Sequence, residues 1–352
     1  MRKKIRIFAG FANGGSVKTK AIISVFLFLA LGFLPARAAS PAPPRNVRIS
    51  PRNAEKLVSK QSLREDVSFL ADTLCGGRRI GSGGSGMASF WIAEQFGSLG
   101  LKPFGGSWFQ CFSTPTGETG HNVVGMLPGN SPDARYVIIG AHFDHLGTLK
   151  GVLYPGADSN ASGVAAMVHL ARMLQYMARI DRPFRKNVIF IAFDGKENNM
   201  AGSHELMRRL SEGRLADPVT GVPIRKGQVD LMVNLDQVGS TLAPITPGRK
   251  DYLIMLAGEK STCKAALAAA NNRERLNLDL GFSYYGSRDF TKIFFRRICD
   301  QRPFLEAGIE SVLVTSGITL NNNKPYDNAA SLDYDVFRKR VILLYYWLIR
   351  SL

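Results

Sequence analysis

Residues 136–145 read YVIIGAHFDH. Positions 136–141 are apolar or small without alternation, and His142, Asp144 and His145 follow within four positions. A strand with no polar edge is one covered on both faces. Polar groups directly after it lie at its carboxyl end, where open α/β sheets bind their ligands. Similar runs occur at 122–127, 188–193, 229–235, 252–257 and 311–315. Two of them also end on acids: 188–193 leads into Asp194-Gly195-Lys196-Glu197, and 229–235 leads into Asp236. Helical spacing fills the intervals. Residues 161–178 put Val164, Met167, Val168, Ala171 and Leu174 on one face, and 260–272 and 334–350 read as helices too. Two further helix-like segments, 55–74 and 87–99, flank a Gly/Ser-rich stretch at 76–86 that reads as a loop. The alternation predicts an α/β fold: a three-layer sandwich with a mixed, largely parallel central sheet flanked by helices.

The chain has 352 residues, 45% hydrophobic and 21% charged. That excludes a disordered tail protein and a small disulfide-stapled scaffold. Lys and Arg number 45 against 28 Asp and Glu, a formal charge of +17. Residues 1–20 are basic without an acid, 21–34 form an apolar run, and Ala36-Arg37-Ala38 has the small-x-small pattern of a cleavage site. Residues 1–38 therefore read as a secretory signal peptide. The apolar run is short of the ~20 residues that span a bilayer, so no stable membrane anchor is expected after cleavage. Cleavage removes seven cations and leaves +10. No dense Lys/Arg run remains, and the charge reads as a solvated surface with no nucleic-acid partner. Residues 39–55, which include Ser40-Pro41-Ala42-Pro43-Pro44, read as a Pro-rich linker. That leaves 56–352 as a single domain, exported to the periplasm or the extracellular space.

His142, Asp158, Glu197 and Asp236 are the candidate metal ligands. Three follow strand-like runs, and Asp158 precedes the helix near Ala161. Taken alone, Asp158 reads equally as a helix N-cap. Together, histidine and carboxylates at neighbouring strand ends suit zinc without thiolates. No C-x-x-C pair is present among the four cysteines. In an oxidising compartment Cys75 and Cys111 are the expected disulfide, and Cys299 is expected to be buried or bridged rather than a nucleophile. His169 falls off the apolar face of its helix and reads as surface. His204 stands near a helix start, and His121, just before a strand, is given no role.

From about Ser62 onward the chain resembles peptidase family M28, the co-catalytic zinc aminopeptidases. The stretches that carry the likeness are GAHFDHLG (140–147), PGADSNASGVAA (155–166), FDGKENNMAGS (193–203), NLDQVGS (234–240) and CDQRPFLEAGIESVLV (299–314). The resemblance implies hydrolysis of a peptide bond at a free N-terminus. It places His142, Asp158 and Asp236 on one zinc, with Asp158 bridging to a second that Glu197 holds. It makes Asp144 the carboxylate that orients His142, a role with a physical basis because such partners fix the histidine tautomer. His145 belongs to the motif, and the resemblance implies that it is not a ligand.

Two positions depart from the family pattern. Lys196 stands where the general-base glutamate belongs, and an ammonium accepts no proton. Asn323 stands where the last metal-binding histidine belongs, and no histidine follows His204. The segment that is Ser-Asp-His in the family is here Cys299-Asp300-Gln301. These departures imply one zinc ion rather than two, with the Lys196 charge replacing the second: three carboxylates, one ammonium and one zinc balance to zero. The expected function is an exported zinc metalloexopeptidase-like protein of reduced or altered activity, with a peptide as substrate or ligand. The alternatives are an inactive relative that binds a peptide or another partner through the same cleft, and a transferase resembling the glutaminyl cyclases. FDG before Lys196 is similar to the cyclase branch.

Overall fold

A computed structural model describes residues 50–180 and 183–352. The expected signal peptide and all but the last six residues of the expected linker lie outside them. Eleven strands are present among the described residues: β1 (Lys102–Pro103), β2 (Phe109–Ser113), β3 (Thr119–Leu127), β4 (Tyr136–His142), β5 (Gly147–Leu149), β6 (Val152–Tyr154), β7 (Asn187–Phe193), β8 (Val229–Leu235), β9 (Tyr252–Ala257), β10 (Asp279–Gly281) and β11 (Ser311–Thr315). The helices are α1 (Lys60–Leu70), α2 (Gly83–Ser98), α3 (Gly163–Ile180), α4 (Ala201–Ser211), α5 (Cys263–Arg273), α6 (Arg288–Arg296), α7 (Arg302–Glu306) and α8 (Tyr334–Ser351).

One sheet of nine strands runs β1-β3-β7-β4-β8-β11-β9-β10, with β2 beside β3; β5 and β6 form a separate hairpin. The pairs β7–β4, β4–β8, β8–β11 and β9–β10 are parallel, while β3–β7 and β11–β9 are antiparallel. The pleat sends alternate residues to opposite faces. On β4, Val137, Ile139 and Ala141 enter one core, while Tyr136 and Ile138 enter the other. On β7, Val188, Phe190 and Ala192 face the first and Ile189, Ile191 and Phe193 the second. The runs are apolar throughout because both faces are covered, which makes the three layers.

Several local expectations are corrected. The last residues of the expected linker belong to a 3-10 helix, Pro51–Leu57, with Ala54 fully buried. The glycine-rich stretch is a loop only as far as Ser82, which caps α2 by accepting the Ser85 N–H at 3.1 Å. A side chain at Gly84 would collide with the carbonyl of Cys75, so glycine lets this helix start close against the preceding turn. His169 is not on the surface. It is fully buried, with Nε2 3.1 Å from Asp66 Oδ2, because α1 lies across the face of α3 opposite the sheet. Cys75 and Cys111 form no disulfide: Cys75 sits in the core and Cys111 is exposed on β2. No helix among the described residues is long and apolar enough to cross a membrane.

Candidate metal centre

The parallel strands β4, β7 and β8 end side by side, and the polar residues that follow them gather there. His142 is the last residue of β4 and is fully buried. Its Nδ1 lies 3.1 Å from the main-chain carbonyl of Asp144 and 3.6 Å from the Asp144 carboxylate. The expected orienting contact is thus made by the carbonyl. The carboxylate is committed elsewhere, accepting the N–H groups of Lys196 and Glu197, each at 3.0 Å. The other ring nitrogen, Nε2, has no hydrogen-bond partner and lies 3.5 Å from Asp236 Oδ1, which also has none. Burial alone would lower the His142 pKa, but Asp144 and Asp236 outweigh it and lift it to about 10. Burial would raise Asp236, yet His142 and Lys196 bring it down to about 2.

Asp158 is held from three directions. Its Oδ1 accepts from Gly239 N–H at 2.8 Å, Ser240 N–H at 3.2 Å and the Ser162 hydroxyl at 3.0 Å. Its own N–H and that of Ser159 donate to the Asp327 carboxylate at 2.9 and 3.1 Å. Its Oδ2 is buried without a partner. Burial, reinforced by Asp327, pushes its pKa up to about 7. Asp158 does not cap α3. That place is taken by Asn160, whose Oδ1 accepts the Gly163 N–H at 3.1 Å and the Gln237 N–H at 2.9 Å. The Asn160 amide donates to the carbonyls of His142 and Leu235, at 3.2 and 2.9 Å. One side chain thereby ties the ends of β4 and β8 to the start of α3.

Arg78, also missed in the sequence reading, is fully buried and donates to the carbonyls of Phe143 (2.6 Å), Pro155 (2.8 Å), Gly156 (2.8 Å) and Leu70. It clamps the loop after His142 to the loop before Asp158. For Asn160 a signal existed, since an Asn three places before Gly163 has N-cap spacing. For Arg78 the sequence carries none.

Lys196 and Glu197 pair at 2.8 Å. Burial opposes the lysine charge, but Asp236 and Glu197 carry its pKa above the ordinary value. Lys196, Asp236, Asn322 and Asn323 share one cleft of about 160 Å3. Cys299 lines it too, buried and without a disulfide; burial and Asp236 push its thiol pKa well up, away from nucleophile chemistry. Gln301 joins β8 to α6, accepting from Asn234 at 2.9 Å and donating to the carbonyls of Phe294 and Phe295 at 3.1 and 2.8 Å. Asp194 turns from the centre and accepts the N–H groups of His121 and Gly195. The His121 ring meets the Ser89 hydroxyl at 2.8 Å. His204 lies in the first turn of α4. His145 is buried with neither ring nitrogen partnered, and burial together with the Arg78 charge lowers its pKa to about 2.

Nowhere among the described residues do three His, Cys, Asp or Glu side chains close into a ready cage. The donor chemistry nevertheless fits zinc. Two ligands of zinc at ~2.0–2.2 Å lie about 3.2–3.6 Å apart, and His142 Nε2 and Asp236 Oδ1 stand at 3.5 Å. Asp158 Oδ2 is likewise buried without a partner. Glu197 is bonded by the Lys196 ammonium, and Asn323 lines the cleft beside it.

A family model described as Peptidase family M28 matches residues 122–347. Among curated proteins, Aminopeptidase YwaD of Bacillus subtilis is 29% identical over 199 residues, 56% of this chain and 35% of its own length. The chain spans roughly a third to a little over half of the length of the first curated relatives it matches. Among solved structures, a zinc aminopeptidase from Bacillus subtilis superposes with a TM-score of 0.62 at 15% identity, covering 83% of this chain and 95% of that one. A glutaminyl cyclase from Macrostomum lignano superposes with a TM-score of 0.65 at 19% identity, covering 89% and 95%. At such identities these two likenesses speak for the fold alone.

Proposed function

The chain belongs to peptidase family M28, and from that premise we propose that it is an exported, zinc-dependent metalloexopeptidase-like protein whose action on a free peptide N-terminus is reduced or altered. The carrying observation is the set of three buried, unpartnered donors, His142 Nε2, Asp158 Oδ2 and Asp236 Oδ1, beside the ends of β4 and β8. These residues would hold one zinc ion. Bound there, zinc supplies a Lewis acid for the peptide carbonyl and a water of lowered pKa.

The remaining work falls to the chain's own groups. The Asp144 carbonyl accepts from His142 Nδ1, so the Nε2 proton is the one that bound zinc would displace, leaving Nε2 as the ligand atom. The N–H groups of Gly239 and Ser240 hold Asp158 Oδ1 so that Oδ2 points free. Lys196 stands at the general-base position and accepts no proton, a change that removes roughly 10²–10⁴-fold of rate. Its ammonium holds Glu197 and faces Asp236, supplying on that side the fixed positive charge of a second ion. The Lys196–Glu197 pair also favours a second reading, a non-catalytic relative that binds a peptide or another partner in the cleft. A cyclase-like transferase also needs the late histidine, and Asn323 stands in its place.

The test is zinc per chain, measured on protein purified without chelator, together with release from aminoacyl chromogenic substrates. About one equivalent, lost in His142→Ala, with slow release, is expected. No uptake from excess zinc would overturn the metal reading, and rapid release would overturn the reduced activity. Lys196→Glu with Asn323→His should raise the content towards two; a content unchanged at one sinks the charge-replacement idea. Export is tested by finding the protein outside the cytoplasm with its N-terminus near residue 39.

A further inference from the structure

We propose that α6 and the loop 318–320 dock this protein reversibly on a lipid surface with anionic headgroups. The proposal goes beyond the reading above and does not depend on the metal centre. Ser287 caps α6 by accepting the Phe290 N–H at 3.3 Å, and Phe295 anchors the helix in a small core with Ile254, Leu256 and Leu313. Ile293 and Phe295 are two positions apart, so on a helix they face nearly opposite ways. Ile293 therefore does not serve that core. It is exposed, as is Phe290 at 57%. The patch continues beyond the helix. Ile298 and Ile318 are exposed too, and both line the cleft alongside Phe294. Tyr284 stacks on Phe294 with ring centroids 4.2 Å apart, and its hydroxyl accepts the Ile318 N–H at 2.8 Å, which joins the loop to the helix. Leu320, 91% exposed, follows two residues later. Single exposed apolar residues are ordinary, but five on two joined segments mark an interaction surface.

The charge around the patch identifies the occupant. Arg288, Lys292 and Arg296 recur every fourth residue as a stripe beside Phe290 and Ile293, and Arg297 follows. All four are exposed, and none joins a salt bridge or a side-chain hydrogen bond among the described residues. Asp289 is the one acid on α6. Arg296 also borders a second pocket with Glu259, Lys260 and Glu310, where Glu310 accepts the Ser261 hydroxyl at 2.6 Å. With those neighbours counted, five cations stand against three acids, and the face keeps a positive charge. Arg302 and Glu306 of the adjacent α7 pair with each other at 2.8 Å. The loop 318–326 adds Lys324 and no acid. An apolar strip edged by unpaired cations suits a helix lying in the headgroup region of an anionic bilayer. An interface with another protein is typically depleted in lysine, and Lys292 stands in the middle of this one. The attachment needs no spanning helix, and none is present among the described residues. Because Ile298 and Ile318 also wall the cleft, docking sets its mouth against the headgroups.

The probes are vesicles of phosphatidylcholine alone and of phosphatidylcholine with an equal share of phosphatidylglycerol, and co-sedimentation of the purified chain reads binding. The anionic vesicles should bind about tenfold or more tighter at about 0.1 M salt, and the difference should shrink at about 0.5 M. Arg288→Gln with Lys292→Gln should lower that binding by about tenfold or more, and Phe290→Ser with Leu320→Ser by about fivefold or more. These side chains are largely exposed, so both variants should unfold at the parent's temperature. Phe290→Trp should bind like the parent, and its emission should shift to the blue on the anionic vesicles as the ring enters an apolar surrounding. Equal binding to both vesicles, unchanged binding in the two double variants, or no blue shift in a bound Phe290→Trp chain would each overturn the proposal. Tighter binding to polyglutamate than to the anionic vesicles would overturn it too, by assigning the face to an acidic polypeptide.

Discussion

Replacing Arg78 by methionine should loosen the centre and the whole fold together. The guanidinium donates to four buried carbonyls, from the end of α1, the loop after β4 and the loop before Asp158. Each bond contributes about 1 kcal/mol net, so the four together contribute roughly 4 kcal/mol. Removing a fully buried charge returns part of that, since burial already holds the Arg78 pKa down to about 10. A net loss of roughly 3 kcal/mol is expected, a large share of a typical 5–15 kcal/mol stability. With an m-value near the upper urea range of about 3 kcal/mol/M, the midpoint should fall by about 1 M. Zinc affinity should drop by about tenfold or more, because the carbonyls of Phe143, Pro155 and Gly156 set the loops that carry His142 and Asp158. Arg78→Lys should recover less than half of the stability, since an ammonium at one point cannot span four carbonyls. Urea unfolding followed by circular dichroism reads the first effect and competition with a chromogenic chelator the second. A midpoint within about 0.3 M of the parent, or full rescue by lysine, would refute the argument that guanidinium geometry holds the two loops.

Asn160→Ala removes four hydrogen bonds that join β4, β8 and α3, and should cost about 2–4 kcal/mol by urea unfolding while weakening zinc binding; a loss below about 1 kcal/mol would count against its role as the tie. Gly84→Ala forces a methyl against the Cys75 carbonyl and should lower stability by about 2 kcal/mol, although alanine is the better helix former; a stabilised variant would show that α2 can shift. A thiol reagent should label one cysteine per native chain quickly, Cys111, and reach Cys75, Cys263 and Cys299 only on unfolding; no fast thiol, or several, contradicts the burial pattern.

The sheet was legible because its strands leave little choice. A run such as 188–193 has apolar residues at odd and even positions, and only a strand between two layers uses both. The position of His142 and Asp236 at strand ends followed from the same runs. Other features depend on partners far along the chain. Nothing local to α3 says that α1 will cover His169. The reach of Arg78 to Gly156 spans 78 residues, and that of Asp327 to Asp158 spans 169. Asp144 lies beside His142, and the division of labour between its carbonyl and carboxylate depends on how the Lys196–Glu197 turn folds back over it.

The contacts between the residues near 51–58 and α8 bear on the order in which this molecule becomes itself. Arg338 bonds the carbonyls of Val58 and Glu55, and Tyr345 bonds that of Pro51, across 280 to 294 residues. Arg340, buried in the same helix, bonds the carbonyls of Tyr252, Val238 and Ser240. A growing chain can pair β3, β7, β4 and β8 once residue 235 is made. Asp158 then still lacks Asp327, and the strand-end loop at 238–240 still lacks Arg340. Such distant closures slow folding, and here they fall on the metal-binding loops. The centre is therefore the last part to set, and an ion arriving early would meet a finished sheet with no rigid seat upon it.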